Sequence, residues 1–321
     1  FIGSLADKLK RPLRTYGWLV IAIGLYCLFI PTIASWLCSF QSSIYDTMLQ
    51  SRLLTTALRF FLALIILLPA TFAMGGTLPL LVRFCTATSQ QMGCHISFLY
   101  AINTLGAALG AYLCGFHLIE LVGSPSTIAL ASSINVLVGL TAILLDKPLE
   151  IEAAESSDIT EQVDERINVF LLVTTVCGFT SLGLEVCWNR FLPLVIGSST
   201  YSFSLILTAF LCGLGGGAFF VSQRRWQRRA IPLFIGYLLL TIAISVSYSL
   251  PIFGALPELF VSFRKAVSVS FTTFMTLQFL GVFALFFLPT FCYGAIFPLI
   301  ARYLSELNNV GKKVGLVYWW N

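Results

Sequence analysis

Four residues in and just after one apolar stretch have side chains suited to holding an organic cation. Glu185, Trp188 and Arg190 lie within the stretch Ile167–Ile196, and Tyr201 opens the next one. A carboxylate that faces a central cavity can hold a cationic amine, and an indole ring adds a cation–π attraction of roughly 0.5–2 kcal/mol. The alternative is that Glu185 and Arg190 pair with each other and fix helix packing, since buried charges need partners. We therefore predict a substrate-binding set here and leave both roles open.

A second set of polar residues lies in other apolar stretches: Arg59, Asn103, His117 and Glu120. His117 and Glu120 are three residues apart, a spacing that puts them on one face of an α-helix. Because histidine can titrate near neutral pH, the pair suits a proton relay; the alternative is that Glu120 simply meets water at the membrane boundary. Asn103 is expected to hydrogen-bond across helices, as is Asn321, at about 0.6 kcal/mol per bond.

The chain lacks the short motifs of common catalytic and cofactor sites. It contains no HExxH, no GxSxG and no phosphate-binding P-loop, and its nine cysteines form no CxxC pair. The glycine-rich run Gly213–Gly217 looks like a nucleotide loop, but it lies in an apolar stretch and is interpreted as helix packing. We therefore expect no catalytic residue, no metal site, no cofactor and no nucleic-acid partner for this chain.

The elements that position these residues must lie in a lipid bilayer. The chain is 58% hydrophobic and 10% charged, with a mean hydropathy of +0.90, whereas soluble domains average about 25% charged residues. Its apolar runs are long enough to cross roughly 30 Å of hydrocarbon, which predicts an all-α, polytopic membrane helix bundle. The predicted spans are Tyr16–Leu37, Thr55–Val82, His95–Leu121, Ser126–Leu145, Ile167–Ile196, Tyr201–Val221, Ile231–Leu250, Val269–Tyr303 and the start of a further one at Val314.

Two segments of the chain repeat each other, one near the middle of the first half and one at the C-terminal end. At one constant offset, Thr71-Phe72, Gly75, Pro79-Leu80 and Arg83 fall on Thr290-Phe291, Gly294, Pro298-Leu299 and Arg302. A period this long indicates a duplicated domain half. Counting the matched and unmatched spans gives six helices per half, and an even number makes the halves parallel repeats, similar to those of the major facilitator superfamily.

The halves are joined by an acidic segment. Residues 1–145 are predicted to be the last four helices of half one, and 167–321 the first four helices of half two with the start of a fifth. The linker, 146–166, holds eight of the fourteen acidic residues and reads as a flexible tether. Lysine and arginine concentrate in the loops on the linker's side, so the positive-inside rule predicts a cytoplasmic linker in an integral protein of a bacterial inner (plasma) membrane.

Several motifs in the same order resemble the membrane-bound spermidine synthase family. They are Gly178-Phe-x-Ser-Leu-x-Leu-Glu185-Val-x-Trp188-x-Arg190-Phe-Leu, Gly197-Ser-Ser-x-Tyr201-Ser-Phe, Pro69–Arg83 and Leu99-Tyr-Ala-Ile-Asn-Thr-Leu-Gly-Ala107. In that family a major-facilitator-like multispan domain is fused to a cytoplasmic polyamine aminopropyltransferase domain. This chain has His117 and Glu120 where the family usually shows apolar residues.

The resemblance implies the membrane domain of a spermidine-synthase-like protein that binds or moves a small amine or related metabolite. Aminopropyltransferase activity is implied only for a fused domain, if one is present. One alternative is a non-transporting anchor or accessory subunit whose partners are other membrane subunits; another is a major-facilitator-type transporter. An open cavity at Glu185 would favour transport, and a filled space there would favour the anchor.

Overall fold

The structure is a computed structural model that describes residues 9–48, 52–87, 92–146, 148, 166–196, 200–224, 226–266, 271–305, 317 and 320. Every regular element in these residues is helical, and no strand occurs among them. The helices are α1 Pro12–Met48, α2 Arg52–Ala87, α3 Met92–Leu113, a π-helical turn Cys114–Leu118, α4 Ile119–Leu144, α5 Arg166–Ile196, α6 Thr200–Ser222, α7 Ile231–Ala266 and α8 Phe271–Ser305.

Seven helical segments in the described part of the chain are long and apolar enough to cross a membrane. They are Pro12–Phe40, Leu53–Cys85, Ile96–Leu144, Ile167–Pro193, Thr200–Ser222, Ile231–Ser262 and Thr276–Leu304. The all-α membrane architecture expected from composition is therefore confirmed at this level. The two parallel six-helix repeats stay a prediction, and the span expected from Val314 lies almost entirely outside the described residues.

The third of these segments is divided by a break at Gly123. With 49 residues, it would be about 74 Å long as one straight helix, more than twice the hydrocarbon thickness. Gly123 has φ 78° and ψ 165°, a conformation that favours glycine. Pro125 follows in the first turn of the next helical stretch, where a missing backbone N–H costs least. The break falls between the predicted spans that end at Leu121 and begin at Ser126.

Prolines do not end the helices in which the sequence contains them. α7 runs on past its predicted end at Leu250, through Pro251 and Pro257, to Ala266. Helices in lipid tolerate proline because neighbouring groups can satisfy the freed backbone carbonyls.

The first of two compact units contains Phe1–Ala87 and Val122–Ala154. Within it the backbone N–H of Arg14 donates a hydrogen bond to Asp146 Oδ1 at 3.2 Å, and Arg11 Nε lies 3.9 Å from Asp146 Oδ2. The Asp146 carboxylate thereby satisfies one of the free N–H groups in the first turn of α1 and complements the helix dipole. This contact places the start of α1 and the end of α4 at the same end of the unit.

The second unit contains Thr88–Leu121 and Glu155–Asn321, and α6 lies at its centre. A Cβ added at Gly217 would overlap the carbonyl oxygen of Phe291, and one added at Gly294 would overlap the backbone of Leu214. α6 and α8 therefore meet backbone to backbone, the close approach that small residues permit between membrane helices. The interpretation of Gly213–Gly217 as a packing element is confirmed.

These compact units do not follow the halves that the sequence predicts. Thr88–Leu121 groups with the second unit although it belongs to the predicted first half, 1–145. Since a grouping by contacts does not test a duplication, the boundaries at 145 and 167 stay predictions. The two repeated helices, α2 and α8, each contain two prolines; Pro79 falls on Pro298 at the offset of the repeat, and Pro69 and Pro289 are one position out of register.

Candidate functional site

One tyrosine of the predicted substrate-binding set has a charged partner from the other set. The phenol oxygen of Tyr201 donates a hydrogen bond to Glu120 Oε2 at 3.1 Å. Tyr201 lies in the first turn of α6, and Glu120 lies in α4 directly after the π-helical turn. Both residues belong to the second unit.

The continuous segment formed by α3, the π-helical turn and the start of α4 runs antiparallel to α6, and this brings Tyr201 and Glu120 together. Three contacts define the register: Gly215 with Leu105, Ser204 with Gly115, and Tyr201 with Glu120. Small residues allow the approach in two of the three pairs. The start of α6 therefore lies at the same end of the unit as the start of α4.

Aromatic rings pack around Tyr201, the hydrogen-bond partner of the carboxylate. The rings of Phe116 and Tyr201 have their centroids 5.7 Å apart, and those of Tyr112 and Phe116 are 5.1 Å apart. The imidazole of His117 meets Tyr112 in an edge-on arrangement at 5.5 Å. We call Tyr112, Phe116, His117, Glu120 and Tyr201 together the Glu120 site.

The π-helical turn Cys114–Leu118 shapes this site. Gly115 is buried within it, and a Cβ there would overlap the side chain of Ser204. A π-helical turn is wider than an α-helical one, so residues five apart come together, as Tyr112 and His117 do. The prediction that His117 and Glu120 share a face assumes an uninterrupted α-helix. In the structure the π-helical turn interrupts it, and His117 contacts Tyr112 whereas Glu120 contacts Tyr201. Turns of this type are frequent at functional sites.

The chemistry of the Glu120 site is that of an acceptor for an organic cation. Glu120 is exposed, and among the described residues no lysine or arginine forms an ion pair with it. An ionised carboxylate has about four lone-pair positions, of which the Tyr201 hydroxyl uses one. The faces of tyrosine and phenylalanine rings attract cations placed within about 6 Å. An ammonium group can therefore meet a negative charge and aromatic faces at the same place.

The other predicted substrate-binding residues lie on α5, in the second unit. Trp188 is only 4% exposed and stacks on Phe286 with ring centroids 3.9 Å apart, so this indole serves as part of an aromatic core. Glu185 is half-buried and Arg190 exposed, and the two form no ion pair among the described residues. Phe116 of the Glu120 site packs against the hydrophobic cluster that contains Trp188, and a binding role for Glu185, Trp188 and Arg190 stays a prediction.

The remaining candidates do not join the Glu120 site. Arg59 is an exposed residue of α2, in the first unit. Asn103 is exposed on α3, and the other asparagine predicted to bond across helices, Asn321, lies outside the described residues. Within the part of the chain that the structure describes, no cluster of His, Cys, Asp or Glu side chains could hold a metal ion.

Sequence reasoning missed Tyr112 and Phe116 as members of the site. Their spacing of four residues, with His117 next, places aromatic rings on the turn before Glu120. That spacing is a signal that could have identified them.

No family model, no curated protein and no solved structure matches this chain.

Proposed function

We propose that this chain is the membrane domain of a spermidine-synthase-like protein and that it binds a small cationic amine at the Glu120 site. The observation that carries the proposal is the hydrogen bond from Tyr201 to the Glu120 carboxylate at 3.1 Å, with the rings of Phe116 and Tyr112 packed next to Tyr201. The motif resemblance supports an amine as the ligand class, and it implies that aminopropyl transfer belongs to a fused domain. The bilayer is the inner (plasma) membrane of a bacterium in this proposal, with the linker cytoplasmic.

An amine fits the site better than the other small metabolites do. An anion would be repelled by Glu120, and a neutral molecule would gain no ionic attraction from the charge of Glu120. A cation gains the ionic attraction and a cation–π contribution of about 0.5–1 kcal/mol at an exposed position. The Tyr201 hydrogen bond stabilises one orientation of the carboxylate, so less side-chain freedom is lost when the ligand binds.

A second candidate is a non-transporting anchor or accessory subunit that contacts other membrane subunits. The packing around Trp188 favours it, because Phe286 covers one face of the indole and Phe210 meets its edge in a filled aromatic core. An anchor would bind no amine at all. A major-facilitator-type transporter would both bind an amine and carry it into vesicles.

The test is the thermal stability of the purified protein in detergent with spermidine, putrescine or the uncharged 1,8-octanediol. A ligand that binds only the folded state stabilises it by about 2.7 kcal/mol at one hundred times its Kd. We expect the two amines to raise the Tm, 1,8-octanediol to leave it unchanged, and Glu120→Gln to abolish the effect. The matched control Glu258→Gln, at an exposed glutamate of α7, should keep the wild-type response. Equal responses in wild type and E120Q, or no response to amines in the wild type, would contradict the proposal.

A further inference from the structure

A cavity of about 350 Å³ lies between α7 and α8, within the second unit. Hydroxyl groups of Thr241, Ser245 and Ser249 line its α7 side, and apolar side chains such as Leu285 and Leu288 line its α8 side. None of the residues of the Glu120 site lines it. Its volume is at the lower end of the range of about 300–1,000 Å³ that is typical of small-molecule sites.

The hydroxyl groups present lone pairs rather than protons to this cavity. Each donates its proton to a carbonyl oxygen of its own helix, Thr241 to Tyr237 at 2.8 Å, Ser245 to Ile242 at 3.0 Å and Ser249 to Val246 at 2.7 Å. A hydroxyl has a single proton and two lone pairs. With these three protons used inside the helix, the oxygens of Thr241, Ser245 and Ser249 can accept hydrogen bonds but not donate them, and the phenol of Tyr248 is the donor on this wall.

The surroundings of the cavity determine the kind of ligand. No acidic or basic side chain lines it, so a charged molecule would find no counter-charge there. Tyr248 and Leu288, at 72% and 49% exposure, also line it, so the cavity opens to the surface of α7 and α8. That surface lies within apolar membrane-spanning segments, and an apolar molecule can enter it from the lipid.

We propose that this cavity binds an uncharged membrane alcohol, a mostly apolar molecule whose hydroxyl donates its one proton to the oxygen of Ser245. The apolar body of such a molecule packs against Ala284, Leu285 and Leu288. A hydrocarbon has no donor for the Ser245 oxygen and would forgo this hydrogen bond, so it should bind more weakly than the alcohol. This binding site is independent of the Glu120 site.

The test uses a long-chain alcohol that carries a photoreactive diazirine, together with the methyl ether of the same probe. Both are applied to the purified full chain in lipid nanodiscs, and labelled peptides are mapped by mass spectrometry. We expect the alcohol to label peptides that contain residues 241–252 and 284–288. Unlabelled alcohol should compete with the probe about three- to tenfold more strongly than unlabelled ether, because one hydrogen bond changes affinity by about that factor. Equal competition by alcohol and ether would overturn the proposal.

Two variants and one matched control locate the site. Ala284→Trp should fill the cavity and remove labelling of both peptides, and Ser245→Ala should reduce the preference for the alcohol over the ether to about one. Ser247→Ala, at an exposed serine of the same helix that does not line the cavity, should behave like the wild type. Unchanged labelling in folded A284W would overturn the proposal. An unchanged preference for the alcohol in S245A would also overturn it, and this second variant is the test if A284W does not fold.

Discussion

At the scale of single residues, Tyr201 has a hydrogen-bond partner that the sequence does not indicate. The sequence places it next to Glu185, Trp188 and Arg190, because it follows them closely in the chain. Its hydrogen bond to Glu120 depends on the register between two antiparallel helices, which no spacing along the chain contains. Trp188 shows the converse, because an indole in an apolar stretch fits a cation site and an aromatic core equally well until its neighbours are known.

Removing the Tyr201 hydroxyl should weaken amine binding without abolishing it. Tyr201→Phe keeps the ring beside Phe116 but frees the Glu120 carboxylate to adopt other orientations. Immobilising a side chain on binding costs about 0.5–1.5 kcal/mol, so we expect roughly a two- to tenfold loss of spermidine affinity by isothermal titration calorimetry. Tyr237→Phe, at an exposed tyrosine of α7, is the control. Affinities that match between Y201F and Y237F would show that the Tyr201 hydroxyl has no part in the site.

At the scale of helices, glycine spacing shows which surfaces can pack closely but not which ones do. The run Gly213–Gly217 was interpreted as packing, and it brings α6 into backbone contact with α8. Gly106 and Gly110 on α3 have the GxxxG spacing that also permits close packing of membrane helices, yet a Cβ at either position would meet no described atom within 4 Å. The repeat gives the same lesson, because Gly294 touches the backbone of Leu214 whereas its equivalent Gly75 is open.

Alanine substitutions at these glycines should have opposite effects on stability. Gly217→Ala would force a methyl group against the carbonyl oxygen of Phe291, and overpacking of this kind costs about 1–3 kcal/mol. Gly106→Ala has open space around it and improves helix propensity by about 1 kcal/mol, so it should be neutral or stabilising. Unfolding of the purified variants by heat in detergent measures both. A G217A protein as stable as G106A would refute the backbone contact between α6 and α8.

At the scale of the whole molecule, the apolar composition and the length of the apolar runs predict a membrane helix bundle. Lipid offers no hydrogen bonds to the backbone, so a spanning chain of this kind must be helical and apolar. Seven sufficiently long and apolar helices in the described residues agree with that prediction. The break between Leu121 and Ser126 was also predictable, since Gly123 and Pro125 are there to permit it. The assignment of α3 to the second compact unit was not predictable, because it depends on which small-residue surfaces meet.

Hydrogen–deuterium exchange of the purified chain, with and without spermidine, tests the central claim most directly, because it distinguishes the Glu120 site from the predicted group around Glu185. Peptides that cover residues 112–122 and 200–206 include the π-helical turn and the start of α6. We predict that spermidine slows exchange in these peptides, that 1,8-octanediol does not, and that Glu120→Gln removes the protection. Protection confined to residues 183–192, or no protection anywhere at saturating spermidine, would contradict the account.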